Sequence, residues 1–139
     1  ELARIRSNDL LSASGESYTS RASTDPIHQR PMILAMARNY LGADTDAKQP
    51  LVSPLFADLH GLPPLLIQVG DFETVLSDSV DFAEKAKAAG VSVQLEVWDR
   101  MIHVFQQFPE SLPEANDARR SIGAFVQGLF SIPSIKKEF

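Results

Sequence analysis

The stretch from Leu62 to Phe105 constrains the fold most, because an apolar run, an acidic loop, a helical period and an alternating run follow one another within it. Leu65–Val69 (LLIQV) is entered through Pro63-Pro64 and ended by Gly70, the pattern of a strand buried on both faces. Ser77 or Asp78 can cap a helix over about 78–89, with Val80, Ala83 and Ala86 at helical spacing and Phe82 and Ala89 beside them. Gly90 supplies the positive φ that stops it. Residues 91–98 then alternate, with Val91, Val93, Leu95 and Val97 on one face and Ser92, Gln94, Glu96 and Trp98 on the other. Two strands joined by a helix of this length form a right-handed βαβ unit with parallel strands.

Both strands of such a unit end at the same sheet edge, where open α/β sheets place their chemistry. The loop after the first holds Asp71 and Glu73; the loop after the second holds His103. A carboxylate and an imidazole thirty residues apart in sequence (103 − 73) are therefore expected to meet in space.

The remainder reads as connectors and two further helices. Residues 1–23 are polar and serine-rich, and Leu2–Leu11 fits a strand or a short helix equally well. Ser14–Pro26 reads as an irregular loop, since Ser, Thr, Asp and Gly compete with regular backbone bonding. Pro31 suits the first turn of a helix over about 31–41, with Ile33, Leu34, Ala37, Tyr40 and Leu41 as its apolar stripe and Gly42 at its end. Ala43–Leu62 is a connector in which Pro50 and Pro54 oppose regular structure. Ser111-Leu112-Pro113-Glu114 matches a capping box for a helix over about 112–130, with Ala115, Ala118, Ile122, Phe125, Val126 and Leu129 on one face. The SIKKEF tail is expected to fray.

Composition narrows the function. A chain of 139 residues, 44% hydrophobic, suits one modest domain. Its net charge of −5 disfavours nucleic acid or an anionic membrane as a partner. The absence of cysteine excludes disulfides and thiolate catalysis and fits a cytoplasmic protein. Neither a membrane-spanning run nor a signal-peptide pattern is present, so a soluble protein is expected. No His, Asp or Glu spacing suggests a metal site, and no glycine-rich loop between strand and helix suggests a nucleotide cofactor. Taken singly, His103 reads as an ordinary loop histidine and Glu73 as a carboxylate complementing a helix dipole. His28 and His60 lie in polar connectors and read as solvated. Met101, Ile102, Val104 and Phe105 are either core or a screen that keeps water from the imidazole.

Several pieces in order alter that balance: Ser53-Pro54-Leu55, Gly61-Leu62-Pro63-Pro64, Val69-Gly70-Asp71-Phe72-Glu73, Ala88-Ala89-Gly90-Val91 and Met101-Ile102-His103-Val104-Phe105, with Ser14–Ala22 and Asp25-Pro26 upstream. Together they resemble the C-terminal part of the hormone-sensitive-lipase-like esterases of the α/β-hydrolase superfamily, over roughly Ser14 to Leu129. The resemblance implies a single partial α/β-hydrolase domain and carboxylic ester hydrolysis, on short-acyl esters. It places the triad acid on Glu73, with Asp71 as the competing candidate, and the triad base on His103. The family's Gly-x-Ser-x-Gly elbow and HGG-type oxyanion loop do not occur here; Gly15-Glu16-Ser17-Tyr18-Thr19 lacks the closing glycine. Residues 1–11 match the family poorly, and Asp99-Arg100 stands where a Pro-Gly-like turn is common.

The expectation is thus a C-terminal half that carries acid and base without nucleophile, and is inactive alone. A parallel pair with an uncovered edge should also be covered, by the missing N-terminal half, by a second copy through residues 91–98, a region through which the family often dimerises, or by an edge rebuilt from the chain's own N-terminus. The alternatives are a non-catalytic remnant or oligomerisation module of the same fold, and an unrelated flavodoxin-like domain whose acidic loop binds metal or accepts phosphate.

Overall fold

The computed structural model describes residues 13–42 and 46–130, so the readings for Leu2–Leu11 and the SIKKEF tail lie outside the described residues. The chain divides into two compact units, one ending at Val104 and the other beginning at Phe105.

The first unit carries α1 (Ser17–Ser20), α2 (Arg30–Leu41), a 3-10 turn at Pro54–Phe56, β1 (Leu65–Gly70), α3 (Leu76–Ala88) and β2 (Val93–Trp98). The strands pair in parallel, from Leu65 opposite Val93 to Gly70 opposite Trp98. Flanking bonds extend the ladder at both ends, from Leu65 N–H to the Ser92 carbonyl and from Asp71 N–H to the Trp98 carbonyl. Parallel strands need a crossover, and α3 is that crossover. The α/β class and the parallel βαβ unit therefore stand as the sequence implies, and Gly90 ends α3 at φ +79°.

Packing centres on Leu59, Ala86 and Val91, with Ala57, Leu65, Phe82, Ala89 and Val93 against them. Ala83 and Ala86 lie fully buried on α3, where side chains this small let a helix approach a sheet closely. Lys85 Nζ donates to the Leu55 carbonyl at 2.6 Å, fastening α3 to the Pro54–Phe56 turn. That turn is regular structure where the connector was expected to have none; its proline sits in the first turn, which tolerates it.

Burial is more one-sided than the apolar patterns suggest. On β1 only Val69 and Gly70 are buried, the others partly so, because a strand in a two-stranded sheet has one hydrogen-bonded neighbour. The β2 alternation fails at Val97, which is exposed. On α2, Ala37 and Leu41 are buried but Tyr40 is 79% exposed, so the apolar stripe is narrower than its spacing suggested.

Strand and helix starts also shift: β2 begins at Val93 rather than 91, and α3 at Leu76 rather than 78. The cap position of α3 is Val75, and neither Ser77 nor Asp78 caps it. Their side chains bond instead to the serine-rich segment sixty residues upstream. Ser17 and Ser77 exchange N–H to Oγ bonds at 3.1 and 2.9 Å, and Ser17 Oγ donates to the Thr74 carbonyl at 2.7 Å. Ser17 Oγ thus accepts from a first-turn amide of α3, the service a local cap would give. Residues 13–25 are therefore a docked strap rather than an irregular loop. Gly15 passes so close that a Cβ there would lie 2.3 Å from Ser77 Cβ.

The second unit holds a 3-10 turn at Phe105–Gln107 and α4 (Pro113–Phe130). Pro113 opens the helix, where its missing N–H costs nothing, and Asn116 Nδ2 donates to the Pro109 carbonyl at 2.7 Å. Ala115 and Ala118 are buried, whereas Ile122, Val126 and Leu129, expected on the same core face, are exposed. None of the described helices is long and apolar enough to cross a membrane.

Candidate active site at the carboxyl ends of the strands

β1 delivers its chain into a loop that turns at once toward α3. Gly70 is the hinge: a Cβ there would fall 2.0 Å from the Met101 carbonyl oxygen, so only glycine lets the loop after β2 cross the end of β1. That carbonyl accepts from Phe72 N–H at 3.1 Å, which ties the acidic loop to the histidine loop.

The chain leaving β2 turns between Trp98 and Met101, whose N–H reaches the Trp98 carbonyl at 3.3 Å. Arg100, third residue of this turn, has φ +57°, a region that favours glycine. That is the physical meaning of Asp99-Arg100 standing where a Pro-Gly pair is common. Val104, directly after His103, has φ +53°, an uncommon conformation for a β-branched residue. Two strained residues thus flank the segment that carries the imidazole, a placement typical of functional loops.

Between these loops Glu73 and His103 meet. Glu73 is 4% exposed. Its Oε1 accepts from Gly70 N–H at 2.6 Å, and its Oε2 lies 2.7 Å from His103 Nδ1. A carboxylate only accepts, so the imidazole presents Nδ1–H to it and Nε2 keeps its lone pair for another proton donor. The Gly70 amide compensates one oxygen for lost water, and the following N-terminus of α3 favours the same negative charge. His103 remains partly exposed.

Asp71 has a different partner. Its Oδ1 pairs with Arg21 at 2.9 Å, and its carbonyl accepts from Arg21 Nε at 2.6 Å. The pair is about one-third exposed, so its contribution to stability is small, on the order of 0–1 kcal/mol.

The side of this site formed by residues 25–28 was not expected. Asp25 is 3% exposed. Its Oδ1 accepts from the N–H groups of Ile27 and His28, both at 2.9 Å, and its Oδ2 from Thr74 N–H at 2.8 Å and Thr74 Oγ1 at 3.0 Å. Burial opposes ionisation of Asp25, but the His28, Thr74 and Ile27 amides and the Thr74 hydroxyl outweigh it, holding the carboxyl below its usual range. This network anchors residues 25–28 to Thr74, the neighbour of Glu73. It sets the His28 ring 4.3 Å from that of His103, edge to face at 74°. The reading of His28 as solvated is therefore corrected: the ring is partly buried and its Nδ1 is fully shielded. One local signal existed, because an aspartate accepting from amides two and three residues on is an Asx-type turn. The contacts to Thr74 and His103 are long-range and had no such signal. His60 is exposed and paired with Asp58 at 2.6 Å, far from a buried role.

A cavity of about 360 Å³, lined by Ser53, Pro54, Leu55, Ile67, Asp78 and Phe82 among others, includes neither Glu73 nor His103. Asp78 accepts from the Tyr18 hydroxyl through Oδ2, while its Oδ1 is buried and unpaired. Burial pushes the Asp78 carboxyl above its ordinary value, the Tyr18 hydrogen bond opposes this, and the Asp81 charge adds to it. Burial and the same contact push the Tyr18 hydroxyl up as well. Among the described residues no three or more His, Asp or Glu side chains are grouped as a metal ion would require.

A family model described as alpha/beta hydrolase fold matches residues 7–107. An acetyl-hydrolase of Streptomyces hygroscopicus is 39% identical over 117 residues, covering 84% of this chain and 39% of that protein. A crystal structure of an esterase from the bacterial hormone-sensitive lipase family superposes with a TM-score of 0.81 at 47% identity, over 86% of this chain and 40% of that one. The structure of EstE5 soaked with p-nitrophenyl butyrate superposes with a TM-score of 0.75 at 48% identity, over 81% and 37%. The chain thus spans about two fifths of the length of its relatives.

Proposed function

The chain belongs to the alpha/beta hydrolase fold family, within its hormone-sensitive-lipase-like esterases, and from that premise we propose that it supplies the acid and base of a serine carboxylic-ester hydrolase. The observation that carries this reading is the 2.7 Å approach of Glu73 Oε2 to His103 Nδ1 at the carboxyl ends of adjacent parallel strands. The nucleophile and oxyanion donors come from sequence beyond these 139 residues, which contain no Gly-x-Ser-x-Gly elbow.

In this scheme His103 Nε2 takes the hydroxyl proton of a serine as its Oγ attacks the ester carbonyl. The imidazolium so formed is held by Glu73 and returns the proton to the departing alcohol. Water then enters by the same route: Nε2 takes its proton as its oxygen attacks the acyl carbonyl, the bond from that carbon to the serine Oγ breaks, and Nε2 returns the proton to Oγ as the carboxylic acid leaves. Glu73 holds the tautomer and stabilises the cation without taking the proton itself. Short-acyl esters are the proposed substrates, in keeping with the butyrate ester soaked into EstE5.

A second reading, a non-catalytic interaction module, draws support from the exposed Ile122, Val126 and Leu129 and the outer edge of β2. Its signature is self-association, and concentration-dependent sedimentation of the chain measures it. The two readings separate with a fluorophosphonate probe and p-nitrophenyl butyrate. The chain alone is expected to show neither labelling nor turnover, and a polypeptide joining it to the upstream part of a related esterase to show both. A joined protein that folds but neither labels nor turns over contradicts the hydrolase reading.

A further inference from the structure

His103 is held to Glu73 by one hydrogen bond, and one bond leaves the imidazole free to swing about the Nδ1–Oε2 line. The torsion that sets a histidine ring plane is broad and weakly preferred, so the side chain does not fix that plane unaided. A second contact is needed if Nε2 is to point in one direction, and the structure contains one in the edge-to-face packing of the two rings.

The His28 backbone is unusually well fixed for a connector. Its N–H is bound to Asp25, its carbonyl lies 3.2 Å from Thr74 Oγ1, and Asp25 is bound to the Thr74 amide. Both rings are thereby referred to the same short segment: His103 through the Glu73 carboxylate, His28 through the Thr74 hydroxyl on its carbonyl and, by way of Asp25, the Thr74 amide. The shielded Nδ1 of His28 has no hydrogen-bond partner. Burying a bare lone pair costs less than burying an unpaired N–H, which selects the Nε2–H tautomer. What His28 offers its neighbour is then the shape of a flat ring.

We propose that His28 is a positioning residue for His103, a wall that fixes the plane of its imidazole and so the direction of Nε2. This rests on the reading of His103 as the base, yet its primary test needs no activity.

In the 139-residue chain, the His103 Nδ1–H bound to a carboxylate gives a far-downfield proton resonance, assigned by its disappearance in His103→Gln. The resonance is expected in the unsubstituted chain, to broaden away in His28→Ala with the amide spectrum otherwise folded, and to return in His28→Phe, which restores a flat ring without nitrogen. If His28→Ala does not fold, His28→Leu, which fills the space without a flat ring, is read the same way. A resonance unaffected by either variant, or lost equally in His28→Phe, overturns the proposal. So does its absence from the unsubstituted chain.

In the complete enzyme, His28→Ala is expected to lower kcat by about 10²-fold with KM little changed, the scale of a misplacement near 1 Å, and His28→Phe to recover most of it. A loss in KM alone contradicts positioning. A complete enzyme without esterase activity, in the presence of the expected spectra, would fault the hydrolase reading and leave the ring contact standing.

Discussion

Replacing Gly70 by alanine tests the clamp that brings the acidic and histidine loops together. The new Cβ would sit 2.0 Å from the Met101 carbonyl oxygen and 2.5 Å from its carbon, where ordinary contact begins at 3.4 Å. The main chain at Met101 must retreat by about 1.4 Å (3.4 − 2.0). That movement breaks the Phe72 N–H to Met101 bond, worth about 1 kcal/mol net, and adds overpacking strain of about 1–3 kcal/mol. The total, roughly 2–4 kcal/mol, is a large part of a domain stability of about 5–15 kcal/mol. In urea, with a slope of about 2 kcal/mol/M, the midpoint should fall by about 1–2 M at unchanged slope. Gly128→Ala is the control: among the described residues, nothing beyond its chain neighbours and the nearby backbone of α4 lies within 4 Å of its Cβ position, and alanine there should stabilise by about 0.5–1 kcal/mol. A Gly70→Ala midpoint indistinguishable from the unsubstituted chain would show that Met101 does not cross the end of β1. The geometry bringing His103 to Glu73 would then have no support.

Other substitutions probe the surrounding network. Asp25→Ala removes the acceptor of four hydrogen bonds, two of them from the fully buried Thr74, and should cost about 3–5 kcal/mol in chemical denaturation at pH 7. Because the folded carboxyl is depressed, its stabilisation is present above the unfolded value of about 3.9 and fades as pH falls through the folded one, so parent and variant should converge in acid. Asp78 has the opposite sign: its raised folded value favours the protonated form, giving stability present in acid and lost as pH rises through that value. Asp78→Asn, which keeps an acceptor for Tyr18, should therefore gain stability relative to the parent at pH 7–8 and lose the advantage below pH about 4, as urea midpoints across that range would report. Arg100→Gly relieves a positive φ worth about 1–2 kcal/mol against a loss of about 0.5–1 kcal/mol from the freer unfolded chain, a net gain visible as a higher melting temperature.

What could be read from the residues was what is local. Leu65–Val69, Gly90 and the alternation after it specify strand, stop and strand through neighbouring residues alone, and two parallel strands oblige their following loops to share an edge. The meeting of Glu73 with His103 follows from that topology. The departures arise where distant segments replace local partners. Ser77 has the chemistry of a cap, but its oxygen and amide are taken by Ser17, sixty residues away. Asp78 is taken by Tyr18, and Asp71 by Arg21. The serine-rich segment looks solvated because its composition is polar, yet Ser17 and Asp25 are buried with their hydrogen bonds satisfied, which polarity alone does not forbid. His28 reads as solvated for the same reason: its neighbours in sequence are polar, and its neighbour in space is seventy-five residues on (103 − 28). Tyr40 and Ile122 show the converse, since a helical period names a face without stating what covers it.

Hydrolysis of p-nitrophenyl butyrate by the chain joined to the upstream part of a related esterase, with Glu73→Ala and Asp71→Ala made separately, tests the central pairing most directly. The pairing predicts that Glu73→Ala lowers kcat by roughly 10³–10⁴-fold while Asp71→Ala, which removes a carboxylate paired with Arg21 rather than with His103, stays within about tenfold of the parent. Near-normal turnover in Glu73→Ala together with collapse in Asp71→Ala would contradict it.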